Sequence, residues 1–149
     1  VESKEETLEI IKKSLLNFQK TKTGALIVLS GGMDTDTIIP TGVQVNAILS
    51  QALLESIFIK NAPLHDGAVI ISGNKIIAAS CILPLTAETN LPYQVGLRYR
   101  AAVGVTERLA VSAFIVSEET GTISYANSGK LVRGVKENDL MALLKKYNQ

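Results

Sequence analysis

Two clusters of side chains in this sequence have the types and spacing to act together on a charged substrate. Pro63-Leu64-His65-Asp66-Gly67-Ala68 sets an acid and the chain's single histidine against a turn, where an apolar run begins. Further along, Arg98-Tyr99-Arg100 lies among apolar neighbours. A carboxylate can hold a divalent cation or draw a proton from a hydroxyl. Guanidinium forks donate paired hydrogen bonds to phosphate oxygens. Together they point to chemistry on a nucleotide.

Each cluster also admits a plainer reading. Asp-Gly is a common turn dipeptide, and either arginine alone could pair with a surface acid. Inside a helix, residues two apart point roughly 200° from each other, so Arg98 and Arg100 cannot both reach one phosphate from mid-helix. Placing Arg98 at the helix start, just after Gly96, eases the geometry, and the free amides of the first turn then face the same anion. His65 and Asp66 could give one nitrogen and one oxygen to Mg²⁺ or Mn²⁺, whereas a single histidine cannot build a zinc site. Ser117-Glu118-Glu119 could offer a hydroxyl to phosphate and a carboxylate to metal, or be a solvated turn. Gly31-Gly32 lacks the pattern of a phosphate loop.

These groups need elements to position them. Leu8, Ile11, Leu15 and Phe18 share one helical face, so the spacing predicts an amphipathic helix ending near Lys20, with Ser3 and Glu6 at capping-box spacing. Its stripe must dock on the domain or on another chain. Ala25–Leu29 reads as a buried strand. Asn46 to Phe58, through Ile48, Leu49, Ala52, Leu53 and Ile57, reads as a second helix that Pro63 prevents from continuing. Ala68–Ile71 and Lys75–Leu83 form a hairpin around Ser72-Gly73-Asn74. Pro84 to Pro92 is a loop, and Gly96 to Arg108 a third helix. Val111–Val116 is a strand, Thr122–Ala126 and Leu131–Val135 a second hairpin, and Glu137 to Tyr147 a closing helix. The expected fold is a single α/β domain. Its mixed sheet, rich in antiparallel hairpins, is flanked by helices that cover at least one face and preceded by the N-terminal helix.

Composition narrows the partners. At 149 residues, with 46% hydrophobic and 19% charged, the chain can enclose a core. A net charge of +1 gives no basic field, so nucleic acid is not an expected partner. No stretch approaches the roughly 18 apolar residues of a membrane helix, and the N-terminus shows no secretory pattern. The lone Cys81 excludes an internal disulfide, reads as a buried structural thiol and fits a reducing, cytoplasmic compartment. The chain starts at Val1, as a processed or truncated piece would.

Pro63 to Ile71, Arg98-Tyr99-Arg100-Ala101-Ala102-Val103-Gly104 and Val116 to Gly121, in that order, resemble the diadenylate cyclase (DAC) family. The resemblance runs from about Gly24 to Gly134 and is nearest to the sporulation-associated Bacillus type. It implies condensation of two ATP molecules into cyclic di-AMP with release of two pyrophosphates, assisted by Mg²⁺ or Mn²⁺. It places the Asp-Gly-Ala motif on Asp66, Gly67 and Ala68, with Asp66 binding metal and activating the ribose hydroxyl. Arg98 and Arg100 fall on the arginine motif, Arg98 holding phosphates. His65 and Glu119 become metal-ligand candidates beside Asp66. Ser117 becomes a phosphate contact, Leu83 a main-chain contact to adenine, and Gly67, Leu97 and Tyr99 further members of the nucleotide pocket.

Two positions depart from the family pattern: Tyr99 stands where a histidine is usual, and Leu97 where a threonine often precedes the first arginine. Tyrosine cannot carry a proton near neutral pH. The implied product is two-fold symmetric, so a homo-oligomer with facing sites, a dimer or a larger assembly of dimers, is expected. Residues 1–20 would be the end of a regulatory region and 21–149 the cyclase domain. The other reading is a catalytically silent nucleotide-binding or assembly module of the same fold.

Overall fold

Ala25–Leu29, strand β1, is buried at all five positions and sits at the centre of a seven-stranded sheet. Burial on both faces is why its sequence, Ala-Leu-Ile-Val-Leu, is continuously apolar instead of alternating. A computed structural model of the chain describes residues 4–88 and 96–147. Ser3 of the capping pair and residues 89–92 of the expected loop lie outside them. The sheet order is β2 (Val43–Ile48), β4 (Lys75–Cys81), β3 (Ala68–Ser72), β1, β5 (Ser112–Val116), β6 (Ile123–Asn127) and β7 (Lys130–Arg133). The β1–β3 pair is parallel and the other pairs are antiparallel. This is the mixed α/β fold expected.

Helices cover both faces. Side chains alternate across a strand, and β1 divides accordingly. Ala25, Ile27 and Leu29 join a core with residues of α1 (Lys4–Thr21), α2 (Gln51–Ile57) and α4 (Glu137–Tyr147). Leu26 and Val28 pack on the other side with Ala101, Ala102 and Val105 of α3 (Leu97–Arg108).

The stripe of α1 finds its partner within the chain. Leu8, Ile11, Leu15 and Phe18 are buried with Leu54, Phe58, Leu140 and Leu144. The Phe18 and Phe58 rings meet edge to face, 5.6 Å between centroids. Burying each such side chain contributes about 1.5–3 kcal/mol. The stripe therefore gives no reason to assign this helix to a partner molecule.

The expected helix from Asn46 is corrected. Val43–Ile48 is the edge strand β2, and α2 begins only after Ser50, whose hydroxyl caps it by accepting from the Leu53 N–H at 3.1 Å. An extra residue on β2 bulges between Gln44 and Ala47, with Asn46 at φ +49. Nor does Pro63 end the helix, which stops at Ile57. Successive turns through Ala62 then lead into His65.

Candidate active site

One rim of the sheet collects most of the residues singled out in the sequence. Because β1 runs parallel to β3 and antiparallel to β5, the starts of β1 and β3 and the end of β5 lie together. Ala25 pairs with Val116, and extending the Ile27–Val69 register by two residues brings Gly67 alongside Ala25. Gly24, Asp66-Gly67 and Ser117 thus stand at neighbouring strand ends. Strands are about 4.8 Å apart, so the outer two of these positions are separated by roughly 10 Å.

The Asp66-Gly67 turn is fixed by backbone packing. Gly67 has φ +87, and a β-carbon there would lie 2.7 Å from the Cys81 carbonyl oxygen. No other residue type fits without moving main chain. Opposite it, β4 carries an extra residue: Ala68 pairs with Cys81 and Ile70 with Ala78, while Ser80 adopts φ +58. Ala68 is buried as the first residue of β3, so its part is to anchor the turn. The Asp66 carboxylate projects outward, 84% exposed.

His65 is oriented by its own turn. Its Nδ1 lies 2.7 Å from the Ala62 carbonyl oxygen. A carbonyl only accepts, so this nitrogen donates and carries a proton. Nε2 is then left 3.3 Å from Asp66 Oδ1. A ring nitrogen beside a carboxylate oxygen is a pair that suits a proton or a divalent cation between them. Among the described residues no group of three or more His, Cys, Asp or Glu gathers, so Glu119 is not brought into that pair. A cation held there would complete its shell with water and substrate oxygens, as Mg²⁺ commonly does.

Arg98 enters from α3. The helix starts after Gly96 with no side-chain cap and no acid in its first turn, which leaves an electropositive end. Arg98 lies in that turn, as the geometric condition on the two arginines required. Its guanidinium lies over Gly24, where a β-carbon would come within 2.6 Å of Cζ. Glu118 approaches it at 3.8 Å, a long, half-exposed ion pair that contributes little and leaves the fork open to an anion. Arg100 does not converge on this point. Its Nη2 donates to the Thr86 carbonyl at 3.3 Å, away from Arg98.

Ser117 closes the rim. Its hydroxyl accepts from the Glu119 and Thr120 N–H groups at 3.1 and 3.2 Å, and no described residue takes its proton. That proton is placed to donate to a phosphate oxygen. Leu83 is buried just past β4, at the same rim as Gly67. Leu97 is 71% exposed beside Arg98. Arg133 stacks on the Tyr99 ring, 5.4 Å from the centroid, and the Tyr99 hydroxyl is buried with no hydrogen-bond partner among the described residues. Burial raises the Cys81 thiol above its ordinary pKa, partly offset by a hydrogen bond with Thr41. The thiol is structural, as expected.

Sequence reasoning missed Gly24, Glu118 as the partner of Arg98, and Thr86. Gly24 carried a signal, a glycine directly before a fully buried strand.

Comparison with known proteins agrees with this fold. The family described as DisA bacterial checkpoint controller nucleotide-binding (DAC) matches residues 12–131. A diadenylate cyclase of Listeria monocytogenes is 45% identical over 139 residues, covering 93% of this chain and 51% of its own length. The cyclic di-AMP synthase CdaA of Bacillus subtilis is 42% identical over 143 residues, covering 96% and 52%. The chain thus spans about half the length of these curated relatives. The crystal structure of a double mutant of DacA from Staphylococcus aureus superposes with a TM-score of 0.92 at 40% identity, covering 96% of this chain and 95% of that one. No helix among the described residues is long and apolar enough to cross a membrane.

Proposed function

Since the chain belongs to the DAC nucleotide-binding family, we propose that it is a diadenylate cyclase, joining two ATP molecules into cyclic di-AMP with release of two pyrophosphates. One observation carries this most directly. Asp66 and the Arg98 guanidinium meet the same sheet rim, the guanidinium over Gly24 and Asp66 one strand away, with Ser117 on the neighbouring strand on the other side.

In this reading Arg98 and the Ser117 hydroxyl hold the triphosphate, and the Asp66 carboxylate takes the proton from the attacking 3′-hydroxyl. His65 and Asp66 would hold Mg²⁺ or Mn²⁺, with water and substrate oxygens completing the shell. Such an ion, when bound, neutralises charge on the phosphates and lowers the hydroxyl's pKa. Leu83 presents main chain to adenine, and Gly67 lets the backbone pass close to the nucleotide. Each ATP is both attacker and target, so two sites must face each other across a two-fold contact between copies. Ile82 and Leu97 are exposed apolar side chains beside the site and suit that contact.

The silent-module alternative drew on Tyr99 and Leu97. Tyr99 packs against Arg133, and both departures leave Asp66, Arg98 and Ser117 in place, which supports the cyclase reading. Incubating the pure chain with ATP and Mn²⁺ and resolving the products by chromatography decides between the two. Cyclic di-AMP and pyrophosphate are expected; ATP bound but unchanged would establish the silent module instead.

A further inference from the structure

The segment that follows Leu83 is tied to α3 more firmly than a connecting loop requires. It crosses the helix at Gly104, where a β-carbon would lie 1.9 Å from the Pro84 carbonyl oxygen and 2.7 Å from the Thr86 nitrogen. Thr86 is 2% exposed, and each of its polar groups is engaged. Its N–H donates to the Arg100 carbonyl at 3.0 Å, and its carbonyl accepts from Arg100 Nη2 at 3.3 Å. Its hydroxyl donates to Glu107 Oε2 at 2.9 Å and accepts from the Glu88 N–H at 3.0 Å.

Arg100, Gly104 and Glu107 recur at i, i+4 and i+7, a single stripe of the helix. The stripe provides a donor, a gap and an acceptor along one line. Loops are ordinarily the mobile parts of a fold. Here a buried threonine is bracketed on four sides, three residues beyond the main chain that would read the base.

Resting on the cyclase reading, we propose that Thr86, with the Arg100–Gly104–Glu107 stripe, forms a positioning bracket for purine recognition. It fixes the main chain around Leu83 and so sets affinity for the adenine edge. None of the bracket groups touches a reacting atom. Arg100 thereby has a role that its distance from the Arg98 fork had left unexplained.

The test compares Thr86→Val, Thr86→Ser and Glu107→Ala, following cyclic di-AMP synthesis from ATP with GTP as competing nucleotide. Losing one such hydrogen bond is worth about fivefold. The KM for ATP should rise by about that factor in Thr86→Val and Glu107→Ala, with kcat within about twofold of the parent. The preference for ATP over GTP should weaken in step. Thr86→Ser keeps the hydroxyl and should keep the parental KM. Unchanged KM in both disrupting variants, or an equal loss of kcat in all three, overturns the bracket. Glu107 is exposed, so its variant decides the matter even if Thr86→Val does not fold. The Kd of a non-hydrolysable ATP analogue separates this proposal from the activity. A parent chain that binds the analogue but makes no cyclic di-AMP refutes the cyclase; a Kd weakened in Thr86→Val and Glu107→Ala but not in Thr86→Ser then upholds the bracket, and an unchanged Kd refutes it.

Discussion

Arg98 rests in space that Gly24 leaves empty: a β-carbon at position 24 would sit 2.6 Å from both the Cζ and Nη2 atoms of the guanidinium. The obstructed group is the far end of a flexible side chain, so alanine there displaces the fork without disturbing the strand. Gly24→Ala is expected to change stability by no more than about 0.5 kcal/mol. Activity should fall on the order of 100-fold, because phosphate positioning tolerates little displacement. Thermal melting and cyclic di-AMP synthesis, measured on the same preparation, check both halves.

Asp66→Asn should remove turnover while sparing the fold. The side chain is exposed and makes one contact, with His65. Loss of a general base costs about 100- to 10,000-fold. ATP binding, followed by calorimetry, should persist. Near-parental synthesis by this variant would rule out the role assigned to the carboxylate.

Tyr99→Phe is expected to be silent in turnover and neutral or stabilising in the fold. The substitution keeps the ring beneath Arg133 and removes a buried hydroxyl that has no hydrogen-bond partner among the described residues. Such a group is worth about 1–3 kcal/mol of desolvation when unpaired, part of which is recovered on its removal. A large fall in kcat with an unchanged melting temperature would instead place the hydroxyl in the reaction.

Cys81 gives a pH signature. Burial raises its pKa above the ordinary value of 9.0, so the folded chain keeps the neutral thiol where the unfolded chain releases its proton. The resulting stability is fully present below that ordinary value and declines as pH rises from it toward the folded pKa. Urea midpoints of the parent and of Cys81→Ala, compared from neutral pH upward, should converge only in the alkaline range. The thiol should also resist alkylation at neutral pH.

Much of this architecture was legible because the segments carry strong local signals. β1 is a bounded apolar run, the β3–β4 and β6–β7 hairpins have turn residues between apolar segments, and α4 opens with acids and closes with lysines. β2 was not legible. As an edge strand with a bulge at Asn46 it alternates poorly, and Leu49, buried past its end, blends into the periodicity of α2. The same contrast holds at the site. Asp66, Arg98 and Ser117 are candidates through side chains that a sequence displays. Gly24 makes room by having no side chain, and Thr86 is held by main-chain bonds to a helix fourteen residues on, which no local pattern encodes.

The central place of β1 has a kinetic corollary. Its amides are paired on both sides and shielded by helices above and below, whereas β2 and β7 each have an open side. In heavy water the protons of Ala25–Leu29 should be among the last to be replaced, escaping only when the whole domain opens, while the sheet margins equilibrate first. The floor beneath the candidate site is then as durable as the molecule itself, and breathing motions are confined to its borders.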